Sequence, residues 1–238
     1  MVDLNKLKIK IFADGADSKS MMELNSNPLI KGFTTNPTLM KKAGVIDYKN
    51  FAKKILKEIN KPISFEVFAD DFESMKIQAE EIASWGSNVN VKIPITNTKG
   101  EKSLDLIREL SNKGIICNIT AIFTLTQLSE VLESLNSDTP AILSVFAGRI
   151  ADTGIDPVPI MREAVKYTKK NNNYEILWAS PRELLNIFHA DEVGCHIITV
   201  SHDILKKIDL INKDLEKFSL ETVSMFYSDA VKAGYKIK

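Results

Sequence analysis

Eight short runs of β-branched and aromatic residues alternate with longer helical segments, and this alternation limits the possible folds more than any other feature. The predicted strands are KIFAD (10–14), GFTTN (32–36), PISFEV (62–67), VNVKIP (89–94), IICNIT (115–120), AILSVF (141–146), YEILWAS (174–180) and HIITVS (196–201). Without a Pro/Gly/Ser-rich linker or a repeat, residues 1–238 are expected to form one domain. A closed (β/α)8 barrel is the leading architecture, and a doubly wound open sheet is the alternative.

Capping and breaking residues predict where helices begin and end. Gly86 and Gly114 follow the last turns of two helices and are expected in the left-handed conformation. Asp156 before a proline predicts a helix start, and Thr124 with Gln127 fits a capping box. The final segment, residues 214–238, predicts an amphipathic helix that packs either on a neighbouring subunit or on its own chain.

Composition argues against several classes of partner. Lys+Arg and Asp+Glu each number 31, so no overall positive field attracts nucleic acid or an acidic membrane. Cys117 and Cys195 are isolated, and His189, His196 and His202 are scattered, so neither a disulfide framework nor a metal site is expected. No signal-peptide or membrane-spanning pattern is present, and a cytoplasmic location is the default expectation.

Alternation within the strands separates a polar face from an apolar one. In residues 89–94, Val89, Val91 and Ile93 share one face, while Asn90 and Lys92 share the other. In a barrel the outward face lies under helices, so the polar set is expected in the lumen, toward the C-terminal strand ends where barrel active sites lie. Its members on the other strands are Thr34, Asn36, Ser64, Glu66, Asn118, Thr120, Ser144, Phe146, Trp178 and Ser180.

Lys92 is the most unusual of these residues, because it interrupts an otherwise buried strand. A free lysine, with a pKa near 10.4, is almost fully protonated at neutral pH and is a poor nucleophile. Desolvation in a lumen can lower that pKa by up to about 3–5 units and free the amine for attack on a carbonyl. The alternative is a strand-edge lysine that reaches solvent or pairs with Glu66.

Several motifs, in this order, resemble the transaldolases, particularly the small transaldolase and fructose-6-phosphate aldolase-like branch. They are IFAD, GFTTNPTLM, FEVFAD, VNVKIPIT, GIICNITAIFT, SVFAGRIAD, WASPRELL and GCHIITVSHDIL, which together extend over essentially the whole chain. The resemblance implies a single (β/α)8 barrel with sugar phosphate substrates and lysine Schiff-base chemistry that needs no metal or organic cofactor. It also implies a homo-oligomer, a pentamer or a decamer of stacked pentamers.

The resemblance further implies roles for individual residues. Lys92 matches the Schiff-base lysine, Asp14 the acid/base for the C4 hydroxyl, and Glu66 with Thr120 the pair that moves protons through a water during imine formation. Thr34, Asn36, Asn118, Ser144 and Phe146 match substrate-binding positions. Simpler structural alternatives stay open: Asp14 as a helix cap, Asn36 as a turn residue before proline, Asn118 and Thr120 as caps near Thr124, and Ser144 as interior filler.

Arg149 matches the family's phosphate-binding arginine, and Ser180 with Arg182 resembles the Ser-x-Arg that completes the site. Ser180, with Pro181 next and Glu183 three residues on, also predicts a capping box that opens a helix. Transaldolases commonly have a hydrophobic residue after this serine and a longer lead into the helix, so Arg182 could instead align beyond a short deletion.

Two positions distinguish branches of the family. Transaldolases have glutamate and phenylalanine where this chain has Glu66 and Phe146, and the aldolase type has glutamine and tyrosine. The sequence therefore predicts transfer of a dihydroxyacetone unit from sedoheptulose 7-phosphate or fructose 6-phosphate to an aldose phosphate. The alternatives are an aldolase that releases free dihydroxyacetone, another phosphosugar isomerase or epimerase, and a non-catalytic phosphosugar-binding barrel.

Overall fold

The strands close into a barrel. A computed structural model describes residues 4–237. Strands β1 to β8 are Lys10–Asp14, Ile30–Thr34, Ile63–Glu66, Val89–Pro94, Cys117–Ile122, Ala141–Val145, Tyr174–Trp178 and Ile197–Ser201. Each pairs in parallel with the next, and β8 pairs with β1. The predicted (β/α)8 barrel is confirmed, and the open sheet is wrong.

Helices follow the strands around the outside of the barrel. Helices α1 to α11 are Ser18–Asn25, Pro37–Lys42, Tyr48–Glu58, Phe72–Ala83, Leu104–Asn112, Leu125–Ser134, Ala147–Asp152, Pro157–Thr168, Leu185–Glu192, His202–Leu205 and Leu215–Ala233. Short 3-10 helices occupy Leu4–Lys6 and Lys206–Leu210. Within residues 4–237, no helix combines the length and apolar character needed to cross a membrane.

Most of the predicted helix ends are confirmed. Asp156 caps α8, and Thr124 and Gln127 form the predicted capping box at the start of α6. Gly114 has the predicted left-handed conformation, with φ of 75°. Gly86 does not, and that prediction is wrong. Its lack of a side chain instead leaves room for Asn88, whose Oδ1 lies 3.0 Å from where a Cβ would be.

Strand boundaries differ from prediction where a neighbouring element takes over the backbone. Strand β2 ends at Thr34 because Asn36 already caps α2. Strand β5 begins two residues late because the Ile115 N–H bonds back to the carbonyl of Leu110 in α5. It also extends to Ile122, through a register shift beyond Ile119.

The predicted helix start at Ser180 is wrong. Ser180 has φ of 57°, and α9 begins only at Leu185. Asn186 provides the local cap instead, because its Oδ1 accepts hydrogen bonds from the N–H groups of Arg182 (2.8 Å) and Glu183 (3.2 Å). The chain turns here because Ser180 lies against α7: a Cβ on Gly148 would be 1.5 Å from the Ser180 carbonyl oxygen.

Packing separates the barrel into an outer apolar layer and a small lumen cluster. The outer layer lies between strands and helices and includes Trp178, so the prediction that Trp178 faces the lumen is wrong. The lumen cluster contains Phe12, Ile142, Leu177 and Ile197, which we call the barrel floor. Each floor residue precedes a lumen-facing residue of the cavity by two positions along the chain, so the floor lies one layer below.

Helix α11 is different from the other long helices, because none of its residues is buried. Its large apolar side chains are each at least 41% exposed: Leu215, Phe218, Leu220, Val223, Met225, Phe226, Tyr227 and Val231. The alternative in which this helix packs on its own barrel is therefore wrong.

Candidate active site

A cavity of about 480 Å³ opens at the C-terminal ends of the strands. Almost all of the predicted site residues line it: Asp14, Thr34, Asn36, Glu66, Lys92, Thr120, Ser144, Phe146, Arg149, Ser180 and Arg182. Asn118 is fully buried behind this wall. Residues from distant parts of the sequence thus meet at one end of the barrel, as strand alternation predicts.

Lys92 projects from β4 into the cavity and is only 7% exposed. Its Nζ lies 3.0 Å from Glu66 Oε2 and donates a hydrogen bond to the carbonyl oxygen of Thr35 at 3.2 Å. Glu66 is its direct neighbour in the ladder between β3 and β4. The predicted pairing of Lys92 with Glu66 is confirmed, and the alternative in which the Lys92 side chain extends into solvent is wrong. The amine is nonetheless at the cavity surface, so pairing and catalysis are compatible.

Asp14 ends β1 on the same rim. Thr34 Oγ1 donates to Asp14 Oδ1 at 2.7 Å, and the Thr34 hydroxyl also contacts that of Thr199. Burial raises the pKa of Asp14, although the Lys92 charge and the Thr34 hydrogen bond oppose this shift. A carboxyl group with a raised pKa is suited to exchange protons. Asp14 does not cap a helix, because Asp17 performs that role for α1.

Thr120 reaches the cavity at an irregular point of β5. The next residue, Ala121, has φ of 61°, and the pairing with β6 shifts register between Ile119 and Ile122. Thr120 and Ala121 consequently both line the cavity, while Ile119 and Ile122 pack in the outer layer. The Thr120 hydroxyl has no hydrogen-bond partner among residues 4–237. It does not cap α6.

A hydrogen-bonded chain supports the cavity wall between three strands. Asn118 Nδ2 donates to Ser64 Oγ at 2.9 Å, and Ser144 Oγ donates to Asn118 Oδ1 at 2.6 Å. Ser144 is therefore held in place and is not merely interior filler. Asn118 is positioned to orient Ser144, and its amide oxygen and amide nitrogen each already have a partner.

Asn36 has a structural role as well as a place on the cavity wall. Its Oδ1 accepts a hydrogen bond from the Leu39 N–H at 3.0 Å and caps α2. The alternative in which Asn36 has a structural role before Pro37 is therefore confirmed, and that role is a helix cap. Its side-chain amide nitrogen is not used by the cap.

The cationic side of the cavity is built by α7 and the loop after β7. The Arg149 guanidinium lies 5.3 Å from the centroid of the Phe146 ring, within range of a cation–π interaction. Arg182 makes a two-point ion pair with Asp152, with Nε 3.0 Å from Oδ1. Asp152 therefore balances the charge of Arg182. No comparable ion pair with Arg149 occurs within residues 4–237.

Several lining residues were missed by sequence reasoning. They are Pro37, Thr38, Leu39, Lys42, Pro94, Ala121, Ala179 and Thr199. Alternation in β8 would have revealed Thr199. Ala121 and Ala179 carry no chemical signal, and Thr38, Leu39 and Lys42 belong to α2, which strand alternation does not describe.

Comparison with known proteins agrees with this geometry. Residues 11–237 match the family model described as Transaldolase/Fructose-6-phosphate aldolase. A "Probable transaldolase" of Thermoanaerobacter sp. (strain X514) is 34% identical over 96% of this chain and 100% of the relative. A "Probable transaldolase" of Methanococcus maripaludis (strain C7 / ATCC BAA-1331) is 33% identical over 88% and 95%, respectively. The chain thus belongs to the transaldolase/fructose-6-phosphate aldolase family and is an enzyme of the transaldolase type.

Proposed function

We propose that this enzyme transfers a dihydroxyacetone unit from sedoheptulose 7-phosphate or fructose 6-phosphate to an aldose phosphate through a Schiff base on Lys92. The observation that carries the proposal is the position of the Lys92 amine: it lies in the cavity, 3.0 Å from Glu66 and on the same rim as Asp14. No metal or organic cofactor enters these steps, and a cytoplasmic location is part of the proposal.

In the first stage, Lys92 attacks the C2 carbonyl of the ketose. Glu66 accepts a proton from the ammonium, and the free amine adds to C2 to give a carbinolamine. Loss of the C2 hydroxyl as water leaves the imine. Thr120, whose hydroxyl has no partner within residues 4–237, and Glu66 hold the water that carries protons in both steps.

In the second stage, the cationic imine accepts electrons as the C3–C4 bond breaks. Asp14 removes the C4 hydroxyl proton, the first aldehyde leaves, and the three-carbon unit stays on Lys92 as an enamine. The aldehyde of the acceptor then reacts with the enamine, and Asp14 returns its proton to the new hydroxyl. Burial, which raises the pKa of Asp14, makes its carboxylate a stronger base for the C4 hydroxyl proton, and the new alkoxide is basic enough to take that proton back. Asn36, Ser144 and Thr34 bind or orient the sugar hydroxyls, with Asn118 supporting Ser144.

The choice between transfer and release rests on Phe146. Its ring packs against Phe123 with centroids 5.7 Å apart and carries no group that could protonate the enamine. We expect transfer of the unit to erythrose 4-phosphate to be faster than release of free dihydroxyacetone. We expect Phe146→Tyr to raise release relative to transfer, because a phenol at this position can supply the proton. Product analysis with and without the acceptor measures both rates.

The aromatic ring, and with it the contact to Arg149, is retained in Phe146→Tyr, so substrate affinity should change little. Release of dihydroxyacetone as the main reaction of the unaltered enzyme would favour the aldolase alternative. An unchanged ratio in the variant would count against this role of Phe146. Phosphosugar binding without either product would favour the non-catalytic alternative, and net isomerisation or epimerisation would favour the isomerase or epimerase.

The phosphate is proposed to bind Arg149 more strongly than Arg182, since Asp152 already occupies the Arg182 guanidinium. We expect Arg149→Gln to raise the donor KM by about 10- to 100-fold, the loss of one charge-assisted contact. Arg182→Gln, the matched variant on the same side of the cavity, should raise KM less. Steady-state kinetics with fructose 6-phosphate compare the two. A larger KM effect in Arg182→Gln would reverse the assignment.

Copies of the chain are proposed to associate through α11, as a pentamer or decamer. The support is its apolar surface, including Phe226 and Tyr227, which are 63% and 74% exposed. Light scattering should give the mass of a closed homo-oligomer. A monomer at micromolar concentration would contradict this proposal without affecting the catalytic one.

A further inference from the structure

The backbone of Glu66 lacks a strand partner on one side. Strand β2 pairs with β3 only at Phe33 with Ile63 and Thr34 with Ser64, and the chain then leaves the sheet to form α2. Glu66 lies two residues beyond the last paired position. Its N–H and C=O on this side therefore have no β2 residue opposite them.

Tyr48, the first residue of α3, takes the place of the missing strand. Its phenol oxygen accepts a hydrogen bond from the Glu66 N–H at 2.9 Å and donates one to the Glu66 carbonyl oxygen at 3.0 Å. One side-chain oxygen thus satisfies both backbone groups of a residue 18 positions away. The bond donated to the Glu66 carbonyl requires a neutral phenol, and burial raises the pKa of Tyr48, which keeps its proton in place.

Aromatic packing fixes the direction of this phenol. The Tyr48 ring makes edge-to-face contacts with Phe65, Phe68 and Trp85, at centroid distances of 6.0, 5.7 and 5.5 Å. The ring is therefore held on three sides, and its hydroxyl points at the Glu66 backbone. The Glu66 carboxylate, at the other end of the same residue, lies 3.0 Å from the Lys92 amine.

We infer that Tyr48 is a positioning residue for imine formation, which it supports by holding the backbone of Glu66 so that the carboxylate faces Lys92. It does not line the main cavity and touches no reacting atom. The inference rests on the proposed Schiff-base function and extends it to a residue outside the site. A displacement of about 1 Å in a catalytic group can cost about 100-fold in rate.

The test measures imine formation separately from substrate binding. The enzyme is mixed with fructose 6-phosphate, quenched with borohydride after increasing times, and the adduct on Lys92 is quantified by intact mass. The variant Tyr48→Phe keeps the ring and removes both hydrogen bonds. We expect it to slow adduct formation about 10- to 100-fold. The donor concentration that gives the half-maximal rate should change by less than about twofold. Adduct formation at the parent rate would overturn the inference.

A double-mutant cycle separates positioning from a general loss of packing. If Tyr48 acts through Glu66, Tyr48→Phe should change the trapping rate by less than about twofold in a Glu66→Ala background. Slowing of the same size in both backgrounds would overturn the inference. Tyr174→Phe is the control, because it removes a buried phenol at the start of β7, away from Glu66 and the cavity. We expect it to retain the parent trapping rate.

If Tyr48→Phe does not fold, Tyr48→4-aminophenylalanine replaces it, since the amino group still donates to the Glu66 carbonyl but accepts poorly from the N–H. Slower trapping at unchanged half-maximal concentration would support the inference, and the parent rate would overturn it. No adduct in the unaltered enzyme, with phosphosugar binding shown, would overturn the proposed Schiff-base function itself.

Discussion

Replacing Lys92 by methionine should abolish the borohydride-trapped adduct with fructose 6-phosphate and lower transfer at least about 1000-fold, because the route through the imine is closed. In the unaltered enzyme, peptide mapping should place the adduct on Lys92. The variant also leaves the Glu66 carboxylate without its cation, so folding must be checked by circular dichroism.

Two further variants make this result specific. Lys92→Arg retains a cation next to Glu66 but provides no amine for the imine, and it should be as inactive as Lys92→Met. Lys61 is a matched control, because burial lowers its pKa while its Nζ bonds to the carbonyl of Asn25 at 2.6 Å, away from the cavity. Lys61→Met should form the adduct normally. An adduct that persists in Lys92→Met would refute the assignment of the nucleophile.

Asp14→Asn should lower transfer about 100- to 10,000-fold, the usual contribution of a positioned acid/base, and should raise thermal stability at neutral pH. The gain follows from burial, which raises the pKa of Asp14 in the folded chain above its ordinary value of 3.8. The folded state therefore holds this proton more firmly than the unfolded state. Stability contributed by the protonated group is present below the ordinary pKa and is lost as pH rises through the folded-state value.

Thermal unfolding of the parent and of Asp14→Asn between pH 3 and pH 8 measures this effect. The two midpoints should coincide at the acid end and separate as pH rises, with the variant a few degrees higher, about the gain expected from one relieved site. Asp17 is the control of opposite sign: its hydrogen bonds to Ser20 lower its pKa, so Asp17→Asn should give no gain at neutral pH. Lower stability of Asp14→Asn at neutral pH would contradict the argument.

The sequence predicted the barrel and most of the cavity because both follow from a fixed geometric period. Once Val91 and Ile93 are assigned to the helix side of β4, Lys92 must face the lumen, and the same reasoning placed Thr120 and Ser144. The closed sheet confirms this reasoning on these strands.

The same reasoning fails where a residue outside the regular strand is used to assign the faces. In β7 the alternation itself holds, with Leu177 on the lumen side and Trp178 under the helices. Ser180 lies beyond the strand in a left-handed conformation, so counting from it assigned the wrong face to the lumen. Ala121 has a positive φ, which nothing about an alanine in the sequence predicts. The Arg182 pair with Asp152 and the Tyr48 contact to Glu66 join elements that are separate in the sequence, which no local pattern reveals.

The barrel floor limits the order of events under the proposed mechanism. Phe12, Ile142, Leu177 and Ile197 fill the lumen directly beneath the cavity, and Phe12 fits so closely on Gly32 that a Cβ there would lie 2.5 Å from the ring. Substrates and products therefore cannot pass through the floor, and they enter and leave through the mouth of the cavity at the opposite end. The first aldehyde departs through the same mouth by which the second enters. Because both aldehydes occupy the same position next to the enamine carbon, we expect double-displacement kinetics. After the first aldehyde has left and before the second has bound, the three-carbon enamine on Lys92 is therefore in a site that is open to bulk water.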